Sequence, residues 1–161
     1  KSIELAHTHH HDIPVIPQIL SKDADEMLRF AQICADKGFE EINWNLGCPF
    51  PRVAHKKRGS GMLPYPAMVQ EILDRLMPDI PVKLSVKCRL GYESPDEIQA
   101  LLPIFAQFPL SELIVHARIG KQIYKGPVHL EAFKKIIGNV ASPLAYNGDV
   151  FSPDDFQIIY Q

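Results

Sequence analysis

One rhythm dominates this chain. A short apolar run, a turn and an amphipathic stretch recur about every 30 residues, the length of a βα unit. Repeated βα units lay their strands parallel, because each helix carries the backbone back to the edge where the strand began. The expected strands are Ile13–Leu20, Glu40–Leu46, Pro81–Lys87, Glu112–Ala117 and Pro143–Asn147. The expected helices are Asp23–Lys37, Tyr65–Met77, Pro95–Phe108, Leu130–Ile137 and one from Pro153 onward. In the first helix, Ala24, Met27, Leu28, Ala31 and Cys34 share a stripe that Gly38 ends. Ser94–Pro95 and Ser152–Pro153 each read as an N-cap followed by proline at the first helical position.

Two α/β architectures satisfy this rhythm, a doubly wound sheet and a (β/α)8 barrel, and strand polarity separates them. In "VKLSVKCR", Val82, Leu84, Val86 and Cys88 face one way and Lys83, Ser85, Lys87 and Arg89 the other. Asn43, Asn45 and Gly47 share a side, as do Ile114, His116 and Arg118. A sheet covered by helices on both faces is apolar on both. One polar face fits a barrel, with helices outside and polar groups lining the mouth at the C-terminal strand ends. Five units are visible where a barrel has eight, so a partial (β/α)8 TIM barrel is expected, with the doubly wound sheet second. The chain begins with Lys1 and ends on "SPDDFQIIYQ", a helix barely begun. Both ends read as cuts in a longer chain.

Polar groups gather at those strand ends: Gln18, Asn45, Lys87, Arg89, His116, Arg118, Asn147 and Asp149. Each unpaired polar group buried there costs about 1–3 kcal/mol, so a mouth lined with several implies a polar ligand. The set leans positive, which suits an anionic or electron-rich one. Gly148, within "NGD", lets the backbone approach a ligand closely. The unit after Asn45 carries an extra loop, "GCPFPRVAHKKRGSGMLPYP". There Gly59 and Gly61 are expected to give flexibility, and Arg52, Lys56, Lys57 and Arg58 to hold phosphates of a large substrate.

Net charge is −2, so bulk composition does not point to nucleic acid. No run is apolar enough to span a bilayer. The 3 cysteines are odd in number and far apart, which argues against a disulfide framework and for a reducing, cytoplasmic setting. Cys34 and Cys88 read as structural. Cys48 stands at a strand end between Gly47 and Pro49, with no apolar stripe to join, and its thiol suits a nucleophile or a proton donor. The segment His7 to Asp12, "HTHHHD", reads as an exposed polar stretch rather than a metal site, since no complementary ligand spacing follows.

The assembled residues resemble the tRNA-dihydrouridine synthase family. "INWNLGCPFPRVAHKKRGSGML" is similar to its N-x-N-x-G-C-P signature, and "PVIPQIL", "VKCRLG", "IVHAR" and "YNGDV" follow in the family's order. The resemblance implies an FMN-dependent barrel that reduces tRNA uridines with NADPH as reductant. Hydride goes to C6 of uracil and a cysteine, here Cys48, protonates C5. It further implies that Gln18, Asn45, Lys87 and His116 contact the flavin ring, with Lys87 or His116 as the cation at its N1–O2 edge. Asn147, Gly148 and Asp149 would meet the ribityl-phosphate end, and Arg89 and Arg118 would bind substrate or cofactor. Against the family pattern, Trp44 replaces an aliphatic residue and is expected to point outward, and Arg58 stands where glycine is frequent. Residues 1–161 would be the central part of the barrel domain, without its first strands, last strand and C-terminal helical domain. The chain alone is then expected to be inactive. Two other readings remain from the residues: a flavin-free lyase or aldolase using Lys87 as a Schiff-base amine, and a non-catalytic barrel piece.

Overall fold

The computed structural model describes residues 14–160. Five strands, β1 (Gln18–Ile19), β2 (Glu41–Leu46), β3 (Lys83–Gly91), β4 (Leu113–Ile119) and β5 (Leu144–Asn147), form one parallel sheet in the order β1-β2-β3-β4-β5. Between them run α1 (Ala24–Asp36), α2 (Pro51–Ala54), α3 (Pro66–Leu76), α4 (Ile98–Phe105) and α5 (Leu130–Lys134), with α6 (Pro153–Tyr160) after β5. Each strand lies beside its predecessor. A doubly wound sheet needs a reversal of strand order. Right-handed crossovers without a reversal keep every helix on one face. The sheet is therefore singly wound, an arc of a barrel wall.

Side-chain alternation builds the two faces. Ile42, Trp44, Leu46, Leu84, Val86, Cys88, Leu113, Val115 and Ala117 are fully buried and pack in one core with Met27, Ala31 and Cys34 of α1, Leu73 and Leu76 of α3 and Leu101 of α4. Trp44 points outward into this layer as expected, and its indole N–H donates to the Ser21 carbonyl at 3.0 Å. On the other face Asn43 donates to Ser85 Oγ at 3.0 Å, tying β2 to β3.

Several expected boundaries shift. Only Gln18 and Ile19 of the segment 13–20 form a strand, and Ile13 lies outside the described residues. Pro14 and Pro17 have no N–H to give a ladder, although the Pro17 carbonyl still accepts from Asn43 N at 2.8 Å. Helix α4 begins at Ile98 rather than at Pro95. The Glu97 carboxylate explains this: it accepts the N–H groups of Tyr92, Glu93 and Ser94 at 2.8–3.0 Å and holds residues 95–97 in a separate turn. The second Ser-Pro pair does cap: Ser152 Oγ accepts from Asp155 N at 3.2 Å, and Asp155 accepts from Ser152 N at 2.8 Å.

The loop after β2 corrects the expectation of flexibility. It folds into α2 and a 3-10 turn, Gly59–Met62, whose residues are all buried. A Cβ on Gly61 would lie 2.2 Å from the Ala54 carbonyl oxygen, and one on Gly59 would lie 2.6 Å from that of Cys48. These glycines permit close packing of backbone on backbone.

Candidate functional site

The C-terminal ends of β1 to β4 converge on an open cleft of about 220 Å³, walled by Gln18, Asn45, Cys48, Lys87, Arg89, His116 and Tyr124. A roomier concavity of about 1140 Å³ opens at the opposite strand ends, but Phe39, Met77, Ile80 and Val82 line it and only Glu40 and Lys83 bring charge. Titratable and amide groups concentrate in the smaller cleft.

A chain of carboxamides builds its floor. Gln18 donates to Asn43 Oδ1 at 2.7 Å and accepts from Asn45 Nδ2 at 2.7 Å. Asn45 turns its Oδ1 to the next loop, where it accepts the N–H of Gly47 at 3.0 Å and of Cys48 at 2.9 Å. On the other side, both the N–H and the hydroxyl of Ser60 donate to the Cys48 carbonyl at 3.0 Å. The half-buried Cys48 thus has its peptide groups gripped from two directions. Cys34 and Cys88 are fully buried, and burial pushes the Cys88 thiol up to about 12, so it stays protonated and inert.

The cations differ sharply in their ties. Half-buried Lys87 donates to Asn147 Oδ1 at 2.8 Å, and desolvation lowers its pKa. Arg89 is 1% exposed. It donates to the Gly47 carbonyl at 3.1 Å and the Ile119 carbonyl at 2.9 Å, bracing β2 against β4 across β3. Arg118 is also buried and donates to Asp149 Oδ1 at 2.7 Å and to the Gly126 carbonyl at 2.8 and 3.2 Å. This bond to Arg118 holds the Asp149 carboxyl below the ordinary carboxylate range.

His116 corrects one expectation. Burial, reinforced by Arg89, Lys87 and Arg118, pushes its pKa down to about 4. Arg118 Nη1 lies 3.1 Å from His116 Nε2, which as the partner of a guanidinium must accept, so the ring proton sits on Nδ1. The imidazole is neutral at pH 7, and Lys87 alone of the two expected candidates brings positive charge to the cleft.

The remaining expected residues do not wall the cleft themselves. Asn147 joins through Lys87, while Gly148 packs against the ring of His116, where a Cβ would come within 3.0 Å, at a φ of +127°. Arg52, Lys56 and Lys57 are exposed on and after α2, Lys57 with its ammonium 4.0 Å above the Tyr65 ring. Arg58 is partly buried and its Nε has no partner. Tyr124 was not foreseen: its ring sits 5.2 Å from the Arg89 guanidinium. The available signal was an aromatic residue in "QIYKGP", just past a strand end. Among the described residues no group of three or more possible metal ligands comes together, and His7 to Asp12 lie outside them. No described helix is long and apolar enough to cross a membrane.

The chain is 35% identical over 145 residues to a tRNA-dihydrouridine(16) synthase of Neisseria meningitidis serogroup A, covering 89% of the chain and 44% of the relative. It is 30% identical over 153 residues to tRNA-dihydrouridine synthase B of Pasteurella multocida, covering 94% and 46%. Against the same-named protein of Proteus vulgaris identity is 32% over 138 residues, covering 84% and 42%. The chain therefore spans under half the length of these curated relatives. The family model described as dihydrouridine synthase matches residues 1–161. With its singly wound parallel sheet and its cysteine-bearing cleft at the C-terminal strand ends, the chain belongs to the dihydrouridine synthase family.

Proposed function

We propose that the whole protein reduces uridine in tRNA to 5,6-dihydrouridine, with FMN as cofactor and NAD(P)H as the reductant, and that Cys48 protonates C5 of the uracil. One observation carries the reading: the Cys48 backbone is fixed by Asn45 on one side and Ser60 on the other, at the rim of a cleft lined by amides and cations. Proton delivery to carbon needs a donor held still.

The residues present fit a flavin. Lys87 is a half-buried cation whose bonded partner is a neutral amide, so its charge is free to meet an electron-rich ring. Gln18, Asn45, Lys87 and His116 would hold the isoalloxazine, His116 as a neutral hydrogen-bonding group. Asn147, Gly148 and Asp149 would face the ribityl-phosphate end. When bound, FMN supplies the hydride that uracil receives at C6. On the substrate side, Arg52, Lys56, Lys57 and Arg58 would meet tRNA phosphates. Arg89 and Arg118 would act at the edge of the cleft while bracing its strands. The target base must leave its stack to reach Cys48.

The test uses the whole protein and its visible absorption. Cys48→Ala should keep the yellow chromophore and lose uridine reduction by about 10²–10⁴-fold. Turnover at the parent rate would sink the assignment. The lowered pKa of Lys87 also suits a Schiff-base amine. Borohydride trapping of a carbonyl compound on Lys87 would favour that chemistry over flavin chemistry.

A further inference from the structure

Residues 120–129 join β4 to α5 and carry Tyr124 to the cleft. Ile123 stands there at φ +56° and ψ −96°. A β-branched residue adopts positive φ only under constraint, at a cost on the order of 1–3 kcal/mol. Tyr124 follows it and is 61% exposed, so no core packing decides where it lies. Its ring nevertheless covers the Arg89 guanidinium at 5.2 Å and comes within 6.3 Å of the His116 ring.

Backbone bonds anchor the loop, Lys121 N–H to the Tyr92 carbonyl at 3.0 Å and Lys125 N–H to the Gln122 carbonyl at 2.8 Å, and one carboxamide ties its two ends together. Gln122 Oε1 accepts from Ile119 N at 2.8 Å and pairs with His129 Nε2 at 3.0 Å. Its Nε2 donates to the Pro127 carbonyl at 3.0 Å and, at 3.4 Å, to that of Lys125. These partners flank Tyr124 on both sides along the chain. Arg118 adds a second tie through the Gly126 carbonyl.

We propose that Gln122 is a positioning residue: its amide, bonded across the loop from both ends, holds Tyr124 over Arg89 as one wall of the cleft that contains Cys48. Its kinetic consequence rests on the uridine-reduction reading; its structural content does not. A carboxamide offers an acceptor and a donor side by side. Leucine at 122 keeps the bulk and loses both, and glutamate keeps the acceptor alone.

Two measurements test this. Lys121 and Lys125 are exposed in the loop, Lys56 and Lys57 outside it. In Gln122→Leu, tryptic cleavage at the first pair should accelerate about 10-fold relative to the second. In the whole protein, Gln122→Leu should lower kcat/KM for tRNA by about 10-fold, and Tyr124→Ala by at least as much. The double variant should be no worse than Tyr124→Ala alone, because one residue acts through the other. Gln122→Glu should recover part of the loss. Effects that multiply in the double variant, or faster cleavage with unaltered kcat/KM, would overturn the proposal. If the whole protein with Gln122 intact reduces no uridine, the functional reading falls. The cleavage ratio then decides on its own: a raised ratio upholds the positioning role, and an unchanged one overturns it.

Discussion

A neutral buried imidazole makes stability depend on pH. His116 carries a pKa of about 4 in the folded chain, against about 6.5 for an exposed histidine. Between those values the unfolded chain binds the extra proton, so stability rises with pH. It is complete above about pH 6.5, declines as pH falls and levels off below about 4. At ~1.4 kcal/mol per pH unit the full loss is about 3 kcal/mol, with about 1 kcal/mol gone at pH 5.5 and most of the rest by pH 4.5. The Asp149 carboxyl titrates below its ordinary range and so acts lower on the scale. The assay is urea unfolding of the chain at pH 7.5, 6.5, 5.5 and 4.5, in parallel with His116→Asn, which removes the titrating ring. The parent should lose stability along this curve, and the variant should be flatter by about the same ~3 kcal/mol across the window. If both fall with the same slope, His116 is not the proton-linked group, and the account of its burial beside three cations is wrong.

Other predictions follow from single contacts. Gly61→Ala drives a methyl into the Ala54 backbone, 2.2 Å from its oxygen. It should cost at least about 1–3 kcal/mol in urea unfolding, and an unchanged midpoint would mean that the turn has room to spare. Asn45→Ala uncaps the N–H groups of Gly47 and Cys48. Amide exchange at those two positions should accelerate about tenfold or more, consistent with loss of a cap worth about 1 kcal/mol or more; equal protection would argue that Ser60 alone holds the loop. Trp44→Phe deletes the bond to the Ser21 carbonyl at a fully buried site. A loss of about 1–3 kcal/mol is expected by circular dichroism, and since Trp44 is the 1 tryptophan of the chain, its fluorescence follows unfolding of every other variant.

The sequence by itself determined the parallel arrangement and the polarity of its faces. Strand side chains alternate with a period of two, so Leu84, Val86 and Cys88 had to share a face opposite Ser85, Lys87 and Arg89, and the buried core follows that division. Strand polarity also favoured the barrel over the doubly wound sheet, and the observed neighbours of each strand established the singly wound order. Apart from Tyr124, which a loop carries in, the polar cleft residues were legible because they fall at strand ends. What those residues do to one another was not. Whether His116 is charged depends first on its burial and then on Arg89, Lys87 and Arg118 from two strands. The bonding of Arg118 to Asp149 and the packing of Gly61 on Ala54 depend on distances between segments that the fold alone brings together. Local pattern decides which face a side chain takes; protonation, pairing and clash arise between residues remote in the chain, and only the tertiary structure supplies those.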